Sequence, residues 1–275
     1  MRRNLFPLIV VFAWLAAMMI PLLVNLQPDK IDLQGMLSGP GSHHLLGQDE
    51  LGRPVLHRLI AGAQTSLLVS VSVTFIVALT GIIIGAVAAW VGGWFEHLVV
   101  RLIDLFMAFP GILLAIALAG ILGPGISNLV IALSIVGWVG FARLTRAQVL
   151  VLKHRDHIQA AQALGTPAPT IVFQHLLPLI SAPLVVEATF TIASVIIAEA
   201  GLSFLGIGIQ PPEASWGNMI KEGSRYLLVA PHLVLAPGLA LALVVLSINR
   251  LGDQLRDHLD CKASLDVISG KENVR

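Results

Sequence analysis

Charge is missing from this chain in long blocks, and that absence restricts its fold more than any other feature. Apolar runs cover positions 6–26, 64–90, 102–122, 129–142, 184–209 and 227–248, and none holds more than two ionisable side chains. A hydrocarbon core about 30 Å thick is crossed by about 20 apolar residues of helix. Backbone in lipid must satisfy its own hydrogen bonds, which selects helices for runs of this length. The fourth run reaches that length when Ile126 and Leu144 are included, and Pro110 interrupts the third. Overall 56% of residues are hydrophobic and 12% charged, against about 45–50% and about 25% in soluble domains. The expectation is an all-α membrane protein with six transmembrane helices. The first run follows Arg2 and Arg3 but exceeds the about 7–15 apolar residues of a signal peptide, so it reads as a retained helix.

Six crossings put both termini on one side, and Lys and Arg choose the side. With the N-terminus inside, twelve of the 17 basic residues fall on inner segments, and only Lys30, Arg53, Arg58, Lys221 and Arg225 fall outside. The topology is therefore expected to be N-in/C-in. The implied organisation is a helix over 1–26, an outer loop over 27–63, a five-helix core over 64–262 with an inner loop at about 156–178, and an inner tail over 263–275. A net charge of +1 argues against a nucleic-acid binder. The single cysteine, Cys261, excludes an internal disulfide or a cysteine zinc site. Adjacent His43 and His44 cannot both face one metal in a helix or strand, and no metal site is expected.

The inner loop is patterned. Residues 159–164, Gln-Ala-Ala-Gln-Ala-Leu, favour helix, and Gly165 is placed to stop it. Thr166-Pro167-Ala168-Pro169 makes a stiff turn, and a second short helix over 170–177 leads to Pro178 and Pro183. Consecutive alanines let another protein approach the backbone, so the loop reads as a docking element.

These residues resemble the signature of transmembrane subunits of ATP-binding-cassette (ABC) importers: Glu-Ala-Ala, three residues, Gly, nine residues, Ile-x-Leu-Pro. The chain supplies Gln159-Ala160-Ala161, Gly165 and Leu177-Pro178, with Gln159 replacing the Glu and His175 an aliphatic residue. Residues 46–53 with Arg58, Gly62 and Ser66-Leu67 resemble the first outer loop of the oligopeptide/dipeptide/nickel permeases. Residues 202–208, Gln210-Pro211-Pro212 and Trp216-Gly217 resemble their fifth span and outer loop. Pro237-Gly238, Asn249, Gly252-Asp253 and Leu255-Arg256-Asp257 resemble their C-terminal end. Pro54, His57, Gln64 and Cys261 depart from the pattern. The long first outer loop matches the C-type subunit of such systems.

The resemblance implies the type I ABC importer permease fold, set in a bacterial inner membrane. It implies a second homologous permease, two cytoplasmic ATPases and a periplasmic substrate-binding protein as partners. The substrate would be a peptide or a related solute such as a nickel chelate. This chain would be non-catalytic and bind no cofactor, with ATP and Mg on the ATPases; it carries no P-loop pattern of its own. His157, Gln159, Ala160, Ala161, Ala163, Leu164, Gly165, Leu177 and Pro178 would make the ATPase-coupling loop.

Polar residues in or beside spans are functional candidates. Glu187, Glu199, Ser203 and Trp216 are candidates for a translocation path or gate. Glu187 could instead pair with Arg143 or Arg146, Glu199 could serve packing, and Trp216 could rest at the membrane interface. Arg101 and Asp104, three apart on a helix, form a candidate structural pair. The alternative reading is an ion-coupled secondary transporter or channel with Asp104, Glu187 and Glu199 as its relay.

Overall fold

Backbone that meets lipid closes its hydrogen bonds within each segment, and helices dominate this chain accordingly. The computed structural model of the protein describes residues 5–17, 19 and 26–272. Its helices are α1 (Phe6–Ala17), α2 (Val55–Val91), α3 (Gly93–Met107), α4 (Gly111–Leu122), α5 (Ile126–Leu152), α6 (Asp156–Ala163), α7 (Ala168–Leu205), α8 (Trp216–Ser224) and α9 (His232–Glu272). Ahead of α2 lie a 3-10 turn, Leu33–Gly35, and an isolated bridge between Gln48 and Pro54.

Four of these helices are long and apolar enough to cross a bilayer: α2, α5, α7, and α9 as far as Leu259. The α3–α4 pair qualifies jointly, but the chain bends by 86° at its break. The described residues thus hold four spanning helices, or five with the bent pair, against the six expected. The first expected span, 6–26, falls partly outside the described residues, at 18 and 20–25.

Prolines account for most of the altered boundaries. Proline lacks an N–H and its ring collides with the carbonyl four residues back. At Pro110 the helix ends outright: Ala108 closes α3 through the carbonyls of Asp104 and Leu105, and α4 restarts at Gly111. α3 begins at Gly93, ahead of the apolar run at 102–122. At Pro178 and Pro183 the helix continues, so α7 runs unbroken where a short helix and a separate span were expected. A π-helical stretch, Ile171–Leu176, precedes Pro178, and the Leu177 N–H reaches back to the Val172 carbonyl. Such bulges shift the bonding register inside a helix. Pro54 ends the first loop, and α2 starts directly after it rather than at residue 64.

The chain divides into two compact units. The first comprises Met1–Thr74, Ile112–Ile135 and Ile192–Ile248. Its core joins Trp14 of α1, Val55, Ala63 and Leu67 of α2, Ala193 and Ile196 of α7, Trp216 and Met219 of α8, and Leu233, Val244 and Ile248 of α9. The second comprises Phe75–Gly111, Val136–Thr191 and Asn249–Arg275. Here α2 packs on α5 through Gly81 and Gly85 against the backbone of Trp138 and Ala142. Phe106 of α3 meets Trp138 edge-on, with ring centroids 5.7 Å apart. Lys153 Nζ donates to the Ala89 carbonyl at 2.9 Å, near the C-terminus of α2, where the helix dipole favours a cation.

Candidate functional site

In the second unit, α6 buries a single side chain completely. Ile158 is fully buried, and so are Ile171 and Leu176 beyond the turn. His157, Gln159, Ala160, Ala163, Leu164, Gly165 and Pro178 are exposed, while Ala161 and Leu177 are half-buried. Leu164 is 86% exposed, an unusual exposure for a leucine on a short ordered helix. Gly165 stops α6 with φ +78. Its N–H bonds the Gln162 carbonyl at 2.9 Å, and the Thr166 N–H bonds the Ala161 carbonyl at 3.1 Å. This is the Schellman pattern, which needs a left-handed residue at that point. Asp156 stands in the first turn, where the helix dipole favours a carboxylate. Gln159 donates to the His154 carbonyl at 3.3 Å and so turns back on its own chain.

The paired roles expected of the charged residues in this unit are not realised. Arg101 and Asp104 are both exposed on α3, and among the described residues no ion pair joins them. Glu187 meets neither Arg143 nor Arg146. Arg146 donates from Nη2 and Nε to Glu96 Oε1 at 2.6 and 3.0 Å, and Arg143 approaches Met107 Sδ at 3.8 Å. The Glu187 carboxylate lies over Gly140, where an added β-carbon would come within 2.8 Å of it.

In the first unit, three of the four path candidates come together. Glu199 and Ser203 are fully buried and Trp216 is 2% exposed. Glu199 accepts from Ser66 Oγ of α2 at 2.9 Å and from Ser203 Oγ at 3.0 Å, and Ser215 is a further hydroxyl neighbour. Trp216 does not rest at a membrane interface: its Nε1 donates to the Leu59 carbonyl of α2 at 3.0 Å. A β-carbon on Gly217 would fall on the Ala200 carbonyl oxygen, so α8 sits directly on the backbone of α7. Ser66 and Ser215 belong to this site although nothing local marks them. Ser66 stands 133 positions before Glu199, and only the fold joins them.

Beside α8 lies a charge cluster. Arg53 bonds Asp49 at 2.6 Å and Glu222 at 3.1 Å, and Arg58 reaches Glu222 at 3.4 Å. Arg58 is 1% exposed, and buried charge persists only when paired. The carboxylates of Asp49, Glu50 and Glu222 converge within 4.8 Å, with the Arg53 guanidinium among them. Burial pushes the Glu222 carboxyl above its usual range, and the Arg58 guanidinium pulls against that. Glu222→Gln is expected to lower stability by about 1.5–3 kcal/mol, the worth of a hydrogen bond to a charged group. Thermal unfolding in detergent checks this, and an unchanged midpoint would remove the cluster from the stability account.

A multi-pass helical membrane protein with an exposed, glycine-stopped helix is thus defined. Residues 81–264 match the family described as "Binding-protein-dependent transport system inner membrane component". A Brucella suis biovar 1 protein, provisionally named as a peptide transport system permease, is 40% identical over 97% of this chain and 90% of its own length. The glutathione transport system permease GsiD of Escherichia coli O6:K15:H31 is 43% identical over 84% of this chain and 76% of its own. The GsiD of Shigella boydii serotype 4 stands at the same identity and coverage. The chain belongs to the family of binding-protein-dependent inner-membrane transport components. It is a multi-pass inner-membrane permease of an ABC peptide-type transport system, in a family of non-catalytic subunits, and the ion-coupled alternative is set aside.

Proposed function

We propose that this permease works as one of a heteromeric pair that imports short peptides, with glutathione-like peptides among its substrates. A periplasmic binding protein delivers the peptide. Two ATPases, carrying ATP and Mg, dock on the cytoplasmic face and drive alternating access. The full chain then has six spans in the N-in/C-in sense, with α1 as part of the first, and α6 with the start of α7 faces the ATPases. The observation that carries this reading is the exposed face of α6. One buried isoleucine anchors it, while Ala160, Ala163, Leu164 and Gly165 face outward. A stop set by backbone geometry holds that face in a fixed shape, so docking rests on shape rather than on a carboxylate at position 159. Peptide as the substrate class is supported by the names of the relatives.

The experiment is co-purification and uptake. The chain, expressed with its neighbouring genes, is expected to recover a second permease and two ATPases. Uptake of radiolabelled glutathione and of a tripeptide set is expected to stop when the ATPases are made catalytically dead. Recovery of the chain alone, with uptake that ignores the dead ATPases, would overturn the reading.

A further inference from the structure

We propose that Glu199 is a positioning residue for transport: its carboxylate orients three serine hydroxyls and thereby makes the adjoining ends of α2, α7 and α8 one mechanical body. The inference rests on the permease role above, and its first readout is independent of that role.

The chemistry starts from what a hydroxyl can do. A serine carries one donor hydrogen and two acceptor lone pairs. Ser203 Oγ gives its hydrogen to Glu199 and accepts the Ile209 N–H at 3.1 Å. Ser215 stands beside Glu199 as a further hydroxyl neighbour, and its Oγ accepts the Asn218 N–H at 3.1 Å as the N-cap of α8. Ser203 gives its hydrogen to the carboxylate and a lone pair to the turn that ends α7, while Ser215 caps the turn that begins α8. Ser66 ties the same carboxylate to α2. A carboxyl group offers its oxygens to several donors at once, and a buried one without a cation must collect such donors.

The surrounding contacts follow the same plan. Trp216 bonds the α2 backbone at Leu59, and Gly62 of α2 leaves room for its ring. The α7 end is stopped at Gly206, with φ +85, and Lys221 of α8 lies over that glycine. Three separate sequence blocks, around Ser66, Glu199–Gly208 and Ser215–Gly217, thus converge on one carboxylate. Glu199 is fully buried, so its role is to hold these elements rather than to touch the passing solute. In a transporter that alternates access, elements fused in this way move together and close together.

The test uses the assembled complex in lipid nanodiscs and reads hydrogen exchange at the Ile209 and Asn218 amides, alongside ATP-driven uptake. Glu199→Gln keeps one acceptor oxygen of the two and is expected to fall between wild type and Glu199→Leu in both. Glu199→Leu fills the space without an acceptor. It is expected to speed exchange at both amides by at least about tenfold and to cut uptake by about as much. Ser66→Ala touches neither amide directly and is milder, yet it is expected to speed both by at least about threefold, because the carboxylate relays the loss. It decides the matter if Glu199→Leu fails to assemble. A Gln variant as labile as Leu, a response at one amide only, no response to Ser66→Ala, or normal uptake by a loosened Leu variant would each overturn the proposal. The predicted exchange pattern together with ATPase-independent uptake would overturn the importer reading alone.

Discussion

Gly165→Val is expected to cut ATP-driven uptake by at least about tenfold while the protein still inserts and its partner ATPases still hydrolyse ATP. The argument is conformational rather than steric. A β-carbon at Gly165 would meet nothing within 4 Å, so the site has room for a side chain. The backbone does not tolerate one: φ is +78, and leaving glycine there costs about 1–2 kcal/mol, with β-branched residues at the high end. Valine relieves the strain by abandoning the left-handed geometry. That breaks the two bonds closing α6, Gly165 to Gln162 and Thr166 to Ala161. Leu164 and the alanine face then lose their fixed orientation, and about 1.4 kcal/mol of lost docking already means tenfold. Insertion is spared because α6 lies outside the spanning helices. Gly165→Asn is the control, since asparagine tolerates the left-handed region; it is expected to keep uptake within about threefold. Parallel measurements of uptake and ATP hydrolysis in proteoliposomes read the outcome. Coupled uptake at the wild-type rate in Gly165→Val would remove the docking role from this turn.

That turn could be read in the sequence because its rule is local. A helix-forming run, a glycine and a proline within about ten positions decide it, and no distant residue is consulted. The apolar runs were legible for a similar reason, since hydrocarbon thickness sets a length that composition reports directly. The prolines were not. Pro110 ends a helix while Pro183 sits inside one, and the difference lies in what the neighbouring backbone can do. Pairing was the least legible feature. Arg146 finds Glu96 across 50 positions and leaves Glu187 without it. Ser203 follows Glu199 by four positions on α7, but Ser66 lies on α2, 133 positions away, and only the fold joins it to the carboxylate. Trp216 looked interfacial because its partner, the Leu59 carbonyl, is 157 positions away. One missed signal was local: Gly81 and Gly85, four apart in an apolar helix, form the glycine-x-x-x-glycine spacing used for close helix contact.

Filling that spacing is expected to be severely damaging. A β-carbon at Gly81 would lie 2.5 Å from the Trp138 carbonyl oxygen and 2.6 Å from Phe141 Cβ. One at Gly85 would fall on the Ala142 carbonyl. The opposing atoms are backbone, or fixed directly to it, so no rotamer change relieves the collision. α2 and α5 must move apart, opening a contact in which Val77 and Ala142 are now fully buried and Phe141 is 1% exposed. Overpacking of flexible side chains costs about 1–3 kcal/mol; a backbone-to-backbone collision has no such relief. Gly85→Leu is therefore expected to exceed about 4 kcal/mol, which is enough to unfold a marginally stable protein. Gly120→Ala is the matched control. It sits in α4 with nothing within 4 Å, and helix propensity there favours alanine by about 1 kcal/mol. In detergent, Gly120→Ala is expected to melt at or slightly above wild type, and Gly85→Leu to give no monodisperse protein. A Gly85→Leu variant that purifies and melts like wild type would mean that α2 and α5 do not meet through these glycines.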